Sequence, residues 1–411
     1  MTAHLTERAA LYLRRLCAEL PSRCVGSEGN RGATAFFART VAGFGFAAAT
    51  PTFDCVDWSP GRISLQVEGE LFPAQISPYS PPARVCAPLV VVTTVEELAA
   101  AELAGAVALL RGPIAREQLM PKNFPFYNPE EHRRIVALLE AKGPAAIISA
   151  MGRDAMAGAV YPAPMFEDGD FAIPSVYLDE QAGARLALGA GRAVALTIES
   201  ERRPAWGCNV VARRGPPGRR LVICAHIDAK AGTPGALDNA GGTTVLLLLA
   251  ELLGAYDGPL AVELVALNGE DHYANPGEQL YLAQNAGRFD EIALGINLDG
   301  VGYREGPTAY SLYDCSPDLA DPIRAEFAAR PGFVEGPPWY QGDHSLFLLN
   351  RRPALALTSE RAFELLGRYI HTPEDRPELV APERLALVAT ALARLVPELA
   401  CRLGELGAPA P

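Results

Sequence analysis

Five short segments in the second half of the chain carry side chains that could hold metal ions and move a proton. They are AHIDA (225–229), GALDNAGG (235–242), NGED (268–271), NLDG (297–300) and IHTPE (370–374). Together they offer two histidines and three acids as ligands, with one acid to spare. Two divalent ions that share a bridging carboxylate need about this set. Imidazole and carboxylate ligands without thiolate suit Zn²⁺, and also Mn²⁺ or Co²⁺.

Three of these segments allow a role to be stated from their residues. Asp228 lies two residues after His226 and could bond the second ring nitrogen, which would fix the tautomer for metal binding. Asp238 lies in a Gly-rich turn just before a predicted helix, where backbone can pack close to an ion. Of the adjacent acids Glu270 and Asp271, one would bind metal and the other would handle the proton.

These segments must be positioned by the elements that surround them. After about residue 206, apolar strands alternate with helices, which predicts a mostly parallel sheet with helices on both faces. We predict strands at 220–227, 260–267, 292–298, 309–312 and 354–358, and helices at 241–253, 278–285, 317–329, 344–349 and 382–403. Ligands of such sheets bind beyond the carboxyl ends of the strands. His226, the 270–271 acid pair and Asp299 all follow predicted strands, so the sheet would gather them.

The first half of the chain has a different character. Residues 1–50 have the spacing of helices, whereas 58–205 consists of short β-like runs separated by dense Pro and Gly. The second segment contains one histidine, His132, with no ligand set around it, and is typical of a binding or lid module. We therefore predict a catalytic domain made of 1–57 and 206–411, interrupted by a smaller β-rich domain at 58–205.

Composition excludes several classes of partner. The 411 residues carry a net charge of −12 and no Lys/Arg run, which argues against nucleic acid. The longest apolar run falls far short of the roughly 20 residues that cross a bilayer, and the first residues lack the pattern of a signal peptide. Eight cysteines form no Cys-x-x-Cys pair. We expect them to be mostly reduced and buried, in a cytoplasmic protein that binds no membrane.

The motifs, taken together, resemble the M28 family of metallopeptidases, which comprises co-catalytic zinc aminopeptidases and glutamate carboxypeptidase relatives. The matching segments occur in the order of the family: AHIDA (225–229), GALDNAGG (235–242), NGED (268–271), INLDGVG (296–302), GDHSLF (342–347) and IHTPED (370–375). The inserted segment is similar to a protease-associated domain through LLRGP (109–113), GPAAII (143–148), IPSVYL (173–178) and NVVA (209–212).

The resemblance implies a role for each matching position. One zinc ion would be held by His226, Asp238 and Asp299, and the other by Asp238, Asp271 and His371, with Asp238 bridging the two. Glu270 would be the general base and Asp228 would orient His226. Asp343 and His344 match a stretch near the active site of the family, and the Asp238–Asn239 bond is the candidate for a cis peptide.

Three residues depart from the family pattern. Asp271 stands where aminopeptidases of the family usually have Glu, and Gly342 where they usually have Ser. Ile370 stands where several relatives have Tyr before the last histidine ligand. The shorter Asp271 would place or bind the second metal differently, and the loss of Tyr would leave the oxyanion to other donors.

We predict a metal-dependent exopeptidase, most simply an aminopeptidase, that acts on peptides or amino-acid conjugates. A carboxypeptidase or an N-acyl amino acid amidohydrolase remains an alternative on the same scaffold. Five arginines could clamp a substrate carboxylate in that case: Arg304, Arg351, Arg352, Arg361 and Arg368. A glutaminyl cyclase and a non-catalytic binding protein on a peptidase scaffold are further alternatives. The sequence does not fix the oligomeric state.

Overall fold

The chain is described by a computed structural model that covers residues 2–20 and 22–406. It divides into two compact units, one made of Met1–Cys55 with Trp206–Pro411 and the other of Val56–Ala205. The predicted domain boundaries, after residues 57 and 205, lie at or close to these points. Each unit is built around one eight-stranded sheet.

The strands and helices of both units are numbered in chain order. The strands are β1 Ala47–Ala49, β2 Thr52–Val67, β3 Glu70–Leu71, β4 Gln75–Ile76, β5 Ala83–Val92, β6 Val107–Arg111, β7 Ala146–Met151, β8 Ser175–Asp179, β9 Ala193–Cys208, β10 Val210–Arg214, β11 Arg220–His226, β12 Ala261–Leu267, β13 Ile292–Leu298, β14 Thr308–Tyr313, β15 Phe333–Glu335 and β16 Ala354–Ser359. The helices are α1 Thr2–Arg14, α2 Glu28–Gly43, α3 Val95–Ala100, α4 Glu130–Lys142, α5 Glu180–Ala187, α6 Gly241–Leu252, α7 Pro276–Asn285, α8 Pro317–Ala328, α9 Ser345–Leu349, α10 Ala362–Leu366 and α11 Pro382–Leu406.

The sheet of the first unit has the order β1-β10-β12-β11-β13-β16-β14-β15. Its four central strands, β12, β11, β13 and β16, are mutually parallel. The antiparallel pairs lie toward the edges, where β10 pairs with β1 and β12, and β14 pairs with β16. The prediction of a mostly parallel mixed sheet is confirmed.

Helices cover both faces of this sheet. Strand β13 shows the consequence for sequence, because a strand covered on both faces is apolar throughout. Every residue of the strand is buried. Ile296 and Leu298 belong to the core that contains α6 and α11. On the opposite face, a Cβ at Gly295 would lie 2.2 Å from the ring of Phe347 in α9, so only glycine fits under that helix. Strands buried on both faces read as continuous apolar runs, which made them recognisable in the sequence.

The sheet of the second unit has the order β3-β2-β9-β5-β6-β7-β8-β4. Its centre, β5 to β8, is parallel. Along β6, Val107 and Leu109 pack in one core cluster, while Ala108 and Leu110 pack in another on the opposite face. Eight strands and three helices, α3 to α5, make this unit β-rich, in line with the predicted fold class.

Two sequence-based expectations are corrected by the structure. The short strands β1 and β10 were missed, because three alanines and a five-residue run at the edge of a sheet carry little β signal. The cysteines are all free, but they are not mostly buried: Cys208 and Cys224 are, whereas Cys86 and Cys401 are exposed. Among the described residues, no helix combines the length and apolarity that crossing a bilayer requires.

Candidate metal centre

The carboxyl ends of three neighbouring parallel strands bring the predicted ligands together. His226 is the last residue of β11 and pairs in register with Leu267, the last residue of β12. Asp271 follows β12 after a short loop, and Asp299 follows β13 directly. Because β12, β11 and β13 are adjacent and parallel, their ends meet at one edge of the sheet, as in other open α/β folds.

Asp238 lies at the centre of the site, between two histidines. Its Oδ1 is 3.0 Å from Nε2 of His226, and its Oδ2 is 3.0 Å from Nε2 of His371. The peptide bond between Asp238 and Asn239 is cis, as the resemblance implied. The Asn239 side chain donates to the carbonyl of Leu298 over 2.8 Å, which ties the Asp238 turn to the end of β13.

Each histidine also faces one further acid. Asp299 Oδ1 lies 3.7 Å from His226 Nε2, and Asp271 Oδ1 lies 3.0 Å from His371 Nε2. The structure therefore gathers the other four predicted ligands around Asp238, as two pairs that each contain one histidine and one acid. Ligand atoms of His226, Asp238 and Asp271 lie within 4.8 Å of one another.

The polar atoms of this cluster fit a pair of divalent cations. Among the described residues, Nε2 of His226 and Oδ2 of Asp271 are buried with no hydrogen-bond partner, which is unfavourable unless a further group such as a cation satisfies them. Two atoms bound to one tetrahedral zinc at about 2.0–2.2 Å lie about 3.4 Å apart. The observed separations of 3.0–3.7 Å bracket that value.

The electrostatics of the site favour positive charge. Burial by itself lowers the pKa of His371, but Asp271 and Asp238 outweigh it and bring the pKa to about 10. The pKa of His226 is likewise raised well above its ordinary value, since burial is outweighed by Asp228, Asp238 and Asp299. A potential that favours protons on two imidazoles also favours divalent cations in their place.

Asp228 contacts the loop after β12 more closely than it contacts His226. Its carboxylate accepts hydrogen bonds from the backbone N–H groups of Gly269 and Asp271, over 2.8 and 3.0 Å. The distance from Asp228 Oδ1 to His226 Nδ1 is 3.6 Å, longer than a hydrogen bond. Asp228 therefore holds the loop that carries Glu270, a contact that the sequence spacing did not reveal.

Glu270 lies in that loop, next to the ligand cluster. Burial raises its pKa well above the ordinary value; His226 opposes the shift, and the negative charges of Asp271 and Asp299 add to it. The Asn275 side chain donates to the carbonyls of Gly269 and Glu270, both over 3.1 Å, and so fixes the backbone of the loop. A carboxyl whose pKa is raised is suited to accept and release a proton.

Trp339 and Gly342 border the site on the side of Asp299. Gly342 has a φ of +113°, and a Cβ there would lie 2.9 Å from the Trp339 ring and 3.4 Å from Oδ2 of Asp299. His344 holds this segment, because its Nε2 lies 2.8 Å from the carbonyl of Trp339. Burial lowers the pKa of His344, which favours the neutral imidazole as donor to that carbonyl.

Comparison with known protein families identifies the family of the segment that contains all the predicted ligands. The model of peptidase family M28 matches residues 209–396. This part of the chain is a member of peptidase family M28. The predicted family is confirmed, and with it the prediction that the chain is a metallopeptidase. The inserted segment lies outside the match, so its assignment as a protease-associated domain stays a prediction, as does the cytoplasmic location.

Two proteins are similar to this chain in sequence over part of their length. A putative endoplasmic reticulum metallopeptidase 1-A of Caenorhabditis elegans is 33% identical over 99 residues, which is 23% of this chain and 11% of that protein. The uncharacterized protein YfbL of Escherichia coli K12 is 27% identical over 229 residues, 46% of this chain and 70% of that protein. The chain thus spans only a small part of the first relative.

Solved structures resemble the whole M28 chain. An aminopeptidase from Aneurinibacillus sp. strain AM-1 superposes with a TM-score of 0.76 at 20% identity, covering 96% of this chain and 94% of that one. A zinc aminopeptidase from Bacillus subtilis superposes with a TM-score of 0.72 at 18% identity, covering 96% of this chain and 94% of that one. A glutaminyl cyclase from Porphyromonas gingivalis superposes with a TM-score of 0.52 at 15% identity, covering 96% of this chain and 98% of that one. At these identities the likeness establishes the fold.

Two acids near this site were given no role from the sequence, although one of them, Asp375, ends the IHTPED segment. Asp375 is fully buried and accepts hydrogen bonds from the backbone N–H groups of Leu237 and Asp238. Glu278, in α7, is 2% exposed, and neither carboxylate oxygen has a hydrogen-bond partner. Burial, followed by the charge of Asp228, raises the pKa of Glu278 well above its ordinary value. Glu278 is an isolated acid in a predicted helix, which carries no sequence signal for such a position.

Proposed function

We propose that this M28 peptidase is an aminopeptidase that binds two zinc ions and removes the first residue of a peptide. The observation that carries the proposal is the position of Asp238, whose two oxygens each lie 3.0 Å from a different histidine. His226 and Asp299 would complete the ligands of one ion, and Asp271 and His371 those of the other. Manganese or cobalt would suit the same ligands.

The residues around the ligands supply the proton transfers. Zinc ions held by these residues would supply Lewis acidity, which would polarise the scissile carbonyl and lower the pKa of water. Glu270 would accept a proton from the attacking water and deliver it to the leaving amine, which conserves protons over the cycle. Asp228 would keep Glu270 in reach, since it holds the backbone of the 269–271 loop through two hydrogen bonds.

Three of the five arginines that a carboxypeptidase could use have other partners. Arg352 donates to the carbonyl of Ile292, and Arg304 donates to the carbonyl of Glu378. Arg361 pairs with Glu305 and Glu364. These contacts favour the amino end of the substrate over the carboxyl end.

The proposal can be tested with one peptide sequence in four forms: free, blocked at the amino end, blocked at the carboxyl end, and blocked at both. The purified protein, loaded with zinc, is incubated with each form, with and without a chelator, and the products are identified by mass spectrometry. We expect chelator-sensitive loss of the first residue from every form with a free amino end. Trimming that depends on a free carboxyl end would overturn the aminopeptidase assignment.

A variant separates the metal site from the substrate preference. Asp238→Ala removes the side chain that reaches both histidines at 3.0 Å, and we expect the variant to retain fewer than two zinc ions per chain by elemental analysis. Retention of both ions would exclude Asp238 as the bridge. A peptide that begins with glutamine and loses ammonia without hydrolysis would identify a cyclase instead.

A further inference from the structure

Arg23, outside the segment matched to the family, reaches the turn that carries Asp238. The side chain is 3% exposed and donates four hydrogen bonds, all to backbone carbonyls. Two of them end on the turn itself, at Pro234 over 2.8 Å and at Gly235 over 2.7 Å. A third ends on Ile227, one residue after the predicted ligand His226, over 3.0 Å. A single guanidinium therefore links the end of β11 to the start of the turn.

Asp375 holds the other end of the same turn. Its Oδ1 accepts from the N–H of Leu237 over 2.8 Å, and its Oδ2 accepts from the N–H of Asp238 over 3.1 Å. The backbone carbonyl of Asp375 also accepts from the N–H of Ala236 over 3.1 Å. All three N–H groups of residues 236–238 are thus bonded to one aspartate, which follows the predicted ligand His371 by four residues.

Gly235 shows how closely the guanidinium and the turn fit. Its φ of +58° favours glycine, and a Cβ there would lie 2.7 Å from Nη2 of Arg23 and 2.5 Å from the carbonyl oxygen of Asp238. No residue with a side chain fits at position 235 while Arg23 keeps its position. The glycine is therefore explained by the presence of the arginine as well as by the backbone conformation.

We propose that Arg23 and Asp375 form a clamp, a pair of positioning residues that fixes the 234–238 turn from both ends and so sets the place of Asp238 between the two metal ions. The inference rests on the proposed two-metal function. It assigns the N-terminal segment, which precedes the inserted unit, a part in the metal centre. Hydrogen bonds that orient ligands from behind typically change metal affinity by about 10- to 100-fold when they are removed.

The experiment measures zinc affinity and the melting temperature, neither of which depends on turnover. Zinc is titrated into the metal-free full chain in competition with a chromophoric chelator, and the melting temperature is recorded with and without zinc. The variants are Arg23→Met, Arg23→Lys and Asp375→Asn. We expect Arg23→Met and Asp375→Asn to bind zinc about 10- to 100-fold more weakly than the wild type. Arg23→Lys keeps the charge but not the planar fork of donors, so its zinc affinity should lie between that of the wild type and that of Arg23→Met.

Arg220, the first residue of β11, provides a matched control. It is fully buried at the opposite end of β11, where it donates to Glu291 and Asn285, each over 2.6 Å. Arg220→Met should lower the melting temperature of the metal-free protein and leave zinc affinity unchanged. A purely structural role for Arg23 would give the same pattern as Arg220, so it would overturn the clamp.

The outcomes separate the two proposals. If the wild type binds fewer than two zinc ions, the proposed function fails. If the wild type binds two and Arg23→Met and Asp375→Asn bind them as tightly, only the clamp fails. Cobalt-loaded protein gives an independent measure, because a displaced Asp238 should change the visible absorption of bound Co²⁺. Should Arg23→Met fail to fold, Asp375→Asn and Arg23→Lys decide, since both preserve the size of the side chain closely.

Discussion

Oδ1 of Asp271 lies 3.0 Å from Nε2 of His371, although Asp271 is shorter by one methylene than the glutamate usual at this position in family aminopeptidases. The backbone explains the reach. The N–H of Asp271 donates to Asp228 over 3.0 Å, which holds the loop close to the site. With its backbone held there, the shorter Asp271 places its carboxylate beside His371, so this departure from the family pattern keeps the predicted ligand set together.

Restoring the longer side chain should therefore harm the site. Asp271→Glu adds one methylene, about 1.5 Å of reach, and pushes the carboxylate toward His371. We expect one of the two zinc ions to bind at least tenfold more weakly, as measured by competition with a chelator. Asp271→Asn, which keeps the size of the side chain and removes its charge, should weaken the binding of the same ion. Equal affinity in Asp271→Glu and the wild type would show that the loop adapts freely.

Glu270→Gln tests the proton transfer without changing the size of the side chain. General acid–base catalysis contributes about 10²–10⁴-fold, and we expect the turnover number to fall within that range. Zinc content and KM should change little, because Glu270 is not among the proposed ligands. Elemental analysis and steady-state kinetics on the same preparation check both points. A variant with near-wild-type turnover would remove Glu270 from the mechanism.

Gly342→Ser introduces the residue that the family usually has. A Cβ at this position lies 2.9 Å from the Trp339 ring and the φ is +113°, so the indole must shift or the backbone must relax. We expect altered tryptophan fluorescence, a stability loss of about 1–3 kcal/mol and a changed preference among first residues of different size. Gly367→Ser is the control, because its nearest atoms are 3.7 Å away. Unchanged fluorescence and kinetics in Gly342→Ser would contradict the contact.

The second unit offers a prediction for alkaline pH. Burial, aided by the charge of Glu167, raises the pKa of Tyr177 from 10.0 to about 12, and its hydroxyl donates to Gln75 over 2.8 Å. The raised pKa stabilises the fold fully below about pH 10, and this contribution is lost as pH rises through about 12. We expect the melting temperature of the wild type to fall more steeply over that window than that of Tyr177→Phe. If the melting temperatures of the two proteins fell in parallel with pH, that result would contradict the raised pKa of Tyr177.

The sequence alone determined the ligands at the strand ends and the order of the motifs. His226 and Asp299 follow strands that are buried on both faces, and such strands are continuous apolar runs whose ends can be located to within one residue. A parallel sheet then requires that those ends meet, so the approximate site followed without coordinates. The acid pair at 270–271 was placed by the same reasoning, since it follows β12.

Only the tertiary structure decided what holds the ligands in place. Arg23 and Ile227 are 204 residues apart in sequence, and Asp375 and Leu237 are 138 apart. Such contacts depend on how irregular loops pack, which neither periodicity nor spacing encodes. Asp228 makes the same point, because proximity in sequence predicted a bond to His226, whereas the folded loop offers two backbone donors at shorter distances. Strand ends are fixed by the sheet, but the loops beyond them are positioned by hydrogen bonds from distant parts of the chain.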